Sequence, residues 1–110
     1  GIVVILGKIG DNFAAGMTGG MAFIYDPYKD FENYVNSNSV VYQKPETEYW
    51  KNYLKQLIND HFKETQSSIA KKIIDNFTSE ISLFQQVCPK EMLNKLSNPL
   101  SLKKKILEAI

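Results

Sequence analysis

The amino-acid sequence predicts an α+β chain in which a glycine-punctuated β segment is followed by a helical one. Three observations carry that reading. All six glycines of the 110 residues (Gly1, Gly7, Gly10, Gly16, Gly19 and Gly20) fall among the first twenty. Two five-residue apolar runs, residues 2–6 and Met21–Tyr25, each follow a glycine and superpose at an offset of 19 residues, Ile2 onto Met21. Beyond Pro45 the composition turns to Lys, Glu, Asn, Leu and Ile, with apolar positions at helical spacing.

Residues 2–6 are short, continuous and β-branched, which suits a strand buried on both faces. Met21–Tyr25 has the same character. Between them Gly7, Gly10, Gly16 and Gly19 mark tight turns or positive-φ positions. A strand plus glycine turns recurring at a fixed period is the mark of a β-solenoid, in which each coil stacks on the next. A simple strand–loop–strand unit remains the other reading of the pattern. Residues 39–42, after a polar loop, supply a third strand.

From Glu46 the period changes. Trp50, Leu54, Leu57, Ile58, His61 and Phe62 form a one-sided helical stripe, broadened by Tyr49 and Tyr53. Thr47 is placed to cap this helix, and Glu46 and Glu48 favour its N-terminal dipole. A second helix begins with Ser67 or Ser68 as cap, carries Ile69, Ile73, Ile74, Phe77 and Ile81 on one face, and runs towards Phe84. Pro89 opens a short third helix bearing Met92, Leu93 and Leu96. Pro99 restarts a last one with Leu102, Ile106 and Leu107. The total is three to four α-helices.

Composition removes several functions. Thirteen cations against twelve anions leave a net charge of +1, which gives no electrostatic reason for nucleic acid or an anionic membrane as partner. Every cation is lysine, so bidentate arginine clamps are absent. One cysteine, Cys88, excludes an internal disulfide and a cysteine-only metal site. No apolar run approaches the roughly 20 residues of a membrane span, and residues 2–6 lack the length and basic flank of a signal peptide. The start at Gly1, inside an apolar run, reads as a cut edge.

No candidate amounts to an active site. The loop from Gly7 to Asn12 follows a strand but lacks both the P-loop spacing and the dinucleotide fingerprint. His61 stands without a second histidine, and Cys88 without a base at suitable spacing, so both read as structural residues. Lys103, Lys104 and Lys105 suit the end of a helix. Asp26, Asp30 and Glu32 flank a loop without the central glycine of a calcium site.

Residues 7–26 resemble the C-terminal domain of the glutamate synthase large subunit. The likeness is dense at Gly10, Asn12, Phe13, Ala14, Ala15, Gly16, Met17, Thr18, Gly19 and Gly20. Asp30 with Phe31, Val35 with Asn36, the His61-x-x-x-Thr65-x-Ser67 element and the stretch from Phe84 to Met92 are also similar to that family. Asp11 departs from a position where a basic residue is common, and Val35 from a cysteine. The resemblance implies the end of a right-handed single-stranded β-helix with a GXGXG glycine repeat (residues 1–45), closed by a helical cap (46–110), the whole a single domain or fragment. Gly7, Gly10, Asn12, Phe13, Gly16, Met17, Gly19 and Gly20 would be its structural motif.

It further implies a non-catalytic scaffolding role in an oxidoreductase that makes L-glutamate from glutamine and 2-oxoglutarate. FMN and the iron–sulfur cluster of that enzyme belong to other domains, so no cofactor, metal or catalytic residue is expected in this chain. Partners would be the preceding domains of the same subunit and an electron-donating small subunit. The compartment would be cytoplasmic, or an organelle stroma or matrix. Two other classes compete: a stand-alone glycine-repeat solenoid subunit of a multi-subunit oxidoreductase, and a small anion- or nucleotide-binding domain.

Overall fold

The computed structural model describes residues 2–7, 20–35 and 38–101. Its centre is strand β2 (Met21–Tyr25), all five residues of which are buried. On one side β2 pairs in parallel with β1 (Ile2–Ile5), in the register Ile2↔Met21, Val3↔Ala22, Val4↔Phe23 and Ile5↔Ile24. That register is the 19-residue offset read from the sequence. The two apolar runs are therefore neighbouring rungs joined by hydrogen bonds.

The remaining elements wrap this pair. A 3₁₀ turn, Phe31–Asn33, leads to β3 (Val40–Gln43). Helix α1 (Glu48–Thr65) follows, then α2 (Ser68–Asp75), a single turn α3 (Phe77–Glu80) and a 3₁₀ turn, Ile81–Leu83. The chain then returns to the sheet as β4 (Phe84–Pro89), followed by a 3₁₀ helix, Lys90–Lys95, and a segment without regular structure up to residue 101. Strand order is β1-β2-β4-β3, with β4 antiparallel to both neighbours.

Alternation along the strands divides the core in two, because successive side chains leave opposite faces of a sheet. Met21, Phe23, Tyr25, Phe84 and Cys88 face the helices and meet Trp50, Leu54, Ile58, Ala70 and Ile73. Ala22, Ile24, Val40 and Val87 point the other way and are covered by Phe31. The stripe expected on α1 is the one that buries Trp50, Leu54 and Ile58, with Leu57, Phe62 and Tyr53 packed around them. Thr47 caps the helix as expected, its Oγ1 accepting the Trp50 amide at 3.2 Å. Ser67 does the same for α2 through the Ala70 amide at 3.2 Å.

Three expectations are corrected. Helix does not run towards Phe84: Asn76 at φ −127° interrupts it, and Phe84–Pro89 is a strand filling the second edge of β2. Ile69 leaves the buried face of α2, which is formed instead by Ala70 and Ile73, and is exposed. Residues 2–5 are not buried on both faces; as the sheet's edge among the described residues, β1 leaves Val3 54% exposed. The short helix after Pro89 forms as 3₁₀, and the helix expected around Leu102, Ile106 and Leu107 lies outside the described residues.

Trp50 ties the back of the chain together. Its indole Nε1 donates to the carbonyls of Asn98 (3.1 Å) and Pro99 (3.2 Å). Gln43 Nε2 donates to the Leu100 carbonyl at 2.9 Å, and the Ser101 hydroxyl to Glu46 at 3.0 Å, so the segment after residue 96 is sewn onto β3 and the start of α1. Removing a buried aromatic side chain costs about 3–5 kcal/mol, and Trp50→Ala is expected to lose that much in urea unfolding. Gln86 offers the opposite change. It is fully buried, its Nε2 finds only the Met21 sulfur at 3.3 Å, and its Oε1 has no partner among the described residues. Because an orphaned buried acceptor is destabilising, Gln86→Leu should raise stability by about 1 kcal/mol, seen as a higher urea midpoint.

Candidate functional site

Of the glycine motif, Gly7 and Gly20 lie among the described residues. Gly7 closes β1, and a Cβ built on it would meet nothing within 4 Å, so neither crowding nor a left-handed φ demands glycine there. Gly20 leads directly into β2. Gly10, Asn12, Phe13, Gly16, Met17 and Gly19 lie outside the described residues.

The His61–Thr65–Ser67 element has a structural explanation. The Thr65 hydroxyl donates to the His61 carbonyl at 2.8 Å and accepts the Ser67 amide at 3.2 Å. Ser67 in turn caps α2. Gln66 between them takes a left-handed conformation (φ 55°), its amide bonded to the Phe62 carbonyl at 2.8 Å. Together these bonds satisfy the end of one helix and the start of the next within three residues. His61 contributes its backbone carbonyl to this corner.

Cys88 is fully buried in the helix-facing core, and burial raises the pKa of its thiol, the opposite of what a nucleophile needs. Its Sγ lies 3.4 Å from the Pro89 carbonyl. An iron–sulfur cluster requires several thiolates; one buried cysteine does not fit it. Among the described residues, no group of three or more His, Cys, Asp or Glu side chains could hold a metal ion.

A cleft of about 670 Å³ lies where the end of β1, the turn after β2 and the start of α2 meet. Asp26 stands in its wall, only 6% exposed. One carboxylate oxygen accepts the amides of Asp30 (3.1 Å) and Phe31 (3.2 Å) and so fixes the 3₁₀ turn. Desolvation raises the pKa of this carboxyl, the two amides pull it down, and the neighbouring Asp30 raises it further. Tyr28 and Ile69 form exposed apolar parts of the cleft lining. Lys72 also lines it, but its ammonium lies 3.7 Å from Glu80. Two carboxylates and one committed lysine make a poor receptor for the phosphate of FMN or of a nucleotide.

Behind the cleft, the Tyr25 hydroxyl donates to Glu80 at 2.7 Å in a buried contact that fastens β2 to the short helix α3. Neither this bond nor the cleft is legible in the sequence. Their members come from segments far apart in the chain, and only the fold brings them together.

The GXGXG motif family profile matches residues 1–90. The chain is 49% identical to the NADPH glutamate synthase large chain of Azospirillum brasilense over 106 residues, covering 96% of this chain and 7% of that protein. It is 41% identical to the NADH glutamate synthase of Schizosaccharomyces pombe over 83% of this chain and 4% of the relative. It is 39% identical to the ferredoxin-dependent glutamate synthase of Pyropia yezoensis over 86% of this chain and 6% of the relative. The chain therefore spans 4–7% of the length of these relatives.

The Tyr25–Glu80 contact carries a pH prediction. Burial first, then the hydrogen bond and the charge of Glu80, push the Tyr25 pKa up from 10.0 to about 12. A raised pKa means that the folded state favours the protonated hydroxyl. The stabilisation is thus complete below pH 10 and is lost as pH rises towards 12. A shift of that size corresponds to about 2–3 kcal/mol. Urea unfolding of the chain and of Tyr25→Phe between pH 9 and 12 should show the original chain losing stability more steeply than the variant.

Proposed function

Because the chain belongs to the GXGXG motif family, we propose that it is the closing end of a β-solenoid and acts as a non-catalytic scaffolding segment of a glutamate synthase large chain. The observation that carries the proposal is the parallel pairing of residues 2–5 with residues 21–24 at a constant offset of 19. Coils stacked at a fixed period give such a register. β4 supports the same reading: it lies antiparallel along the far edge of β2, where a further coil would otherwise stack. Residues 1–45 and 46–110 act as one unit in this reading, the second half lidding the first.

The outer edge of β1, unpaired among the described residues, is where a preceding coil would add. An exposed strand edge of four apolar residues has a reason to exist if the rest of a much longer polypeptide covers it. The parent enzyme would form L-glutamate from glutamine and 2-oxoglutarate, with flavin and iron–sulfur chemistry in its other domains. An electron-donating small subunit would be a partner of the whole rather than of this segment. The compartment would be that of the parent, cytoplasm or organelle.

Two measurements test this. Incubated with glutamine, 2-oxoglutarate and a reductant, the isolated chain should form no glutamate, and turnover would overturn the reading. Hydrogen exchange gives a positive test. The β1 amides directed away from β2 should exchange rapidly in this chain and slowly in the full-length enzyme. Equal, rapid exchange in both would deny a preceding coil.

A further inference from the structure

We infer that residues 96–101 form a strap that lifts from the start of α1 as a unit while the sheet and helices stay folded, and that the Trp50 indole N–H is the point at which it closes. The inference goes beyond the scaffold reading and does not depend on it.

The strap is attached differently from the sheet it lies beside. β4 is held by backbone ladders, to β2 on one edge and to β3 on the other. Among the described residues, no backbone–backbone bond joins residues 96–101 to the sheet or to α1. Side chains hold them instead. Trp50 Nε1 donates to the Asn98 and Pro99 carbonyls, Gln43 Nε2 to the Leu100 carbonyl, and the Ser101 hydroxyl to Glu46 in an exposed contact. Leu100, 7% exposed, is the one residue of the strap sunk into the helix-facing core, and Leu96 packs at its margin. Ser97 is exposed. The joint before the strap is the 3₁₀ helix Lys90–Lys95, which has no fully buried residue and whose hydrogen bonds are of the weaker i→i+3 kind.

Lifting such a segment breaks no ladder bond and no helix bond. The carbonyls, the indole N–H and the glutamine amide that it releases all come to the surface, where water satisfies them. The Trp50 ring keeps its neighbours on the core side, Phe23 at 6.3 Å and Tyr53 at 5.5 Å between centroids, so α1 stays anchored to β2. A segment fastened by side-chain bonds and one apolar plug opens at lower free energy than a strand bonded on both edges. The indole N–H reports that opening, because its acceptors both belong to the strap.

The test is native-state hydrogen exchange of the 110-residue chain, followed by NMR at urea concentrations below the unfolding transition. Relative to intrinsic rates, the Trp50 indole should exchange about tenfold or more faster than the slowest amides of β2 and β4, and its rate should be nearly flat in urea, since a local opening exposes little surface. Val87 is buried on the opposite face of the sheet. Val87→Ala should speed the β2 and β4 amides about tenfold or more and leave the indole within about twofold. Leu100→Ala should speed the indole about tenfold or more. An indole that shares the rate and urea dependence of the sheet amides, or follows them in Val87→Ala, would show that the segment opens only when the whole chain unfolds and would overturn the inference. So would an indole indifferent to Leu100→Ala. The urea series uses the unaltered chain, so it decides the matter even where a variant fails to fold.

Discussion

Strand β2 is buried on both faces and hydrogen-bonded on both edges, and the rest of the structure is arranged around keeping it so. Burying Met21, Phe23 and Tyr25 on one side and Ala22 and Ile24 on the other leaves its backbone no access to water. Every amide and carbonyl must then find a partner in the sheet. β1 supplies one row in parallel and β4 the other in antiparallel. Both partners are required, and they come from opposite ends of the chain. That is why residues 84–89 return to the sheet after three helices.

The same demand explains the helical half. The face of β2 carrying Phe23 is broad and apolar, and α1 lays Trp50, Leu54 and Ile58 over it. Trp50 is the largest of these, and its indole N–H cannot be left without an acceptor inside a core. The carbonyls of Asn98 and Pro99 answer it, which draws the segment after β4 across the start of α1. Sheet, helix and trailing segment are thus linked by one side chain that is apolar on its body and polar at one atom.

Much of this was legible in the sequence. The offset between the apolar runs gave the parallel register of β1 and β2, and Thr47 and Ser67 marked their helices because capping is a local affair of a side chain and an amide three residues on. β4 was not legible. Its alternation is blurred by Gln85 and Gln86, and Gln86 is buried where an apolar residue would be expected. Ile69 misled in another way: helical spacing placed it on the apolar face, but Ala70 and Ile73 are the residues α2 buries in the core, and Ile69 is exposed. The loop between the runs was legible as a glycine-rich motif, though residues 8–19 lie outside the described residues, whereas the cleft was not legible. Asp26, Ile69 and Lys72 have no common local pattern, and only the packing of α2 beside the turn after β2 makes them neighbours.

The sense of each strand also decides in which direction such a structure can grow. A stack of parallel coils extends because each coil presents to the next the edge it received from the last. β4 breaks that rule: reversed in direction, and joined to β2 through β3 and the helices, it offers the periodic edge to no successor. β3 is then the sheet's other edge among the described residues, with Gln43 at its end tied by its side chain to the trailing segment. In the proposed solenoid reading, growth would be stopped on that side by topology and left available at β1, whose short apolar strand keeps only one edge occupied among the described residues. An exposed apolar edge is an aggregation hazard for a free domain. In the solenoid reading proposed above, the same edge would be the surface on which another coil stacks, so the feature least suited to an independent protein would there be of use.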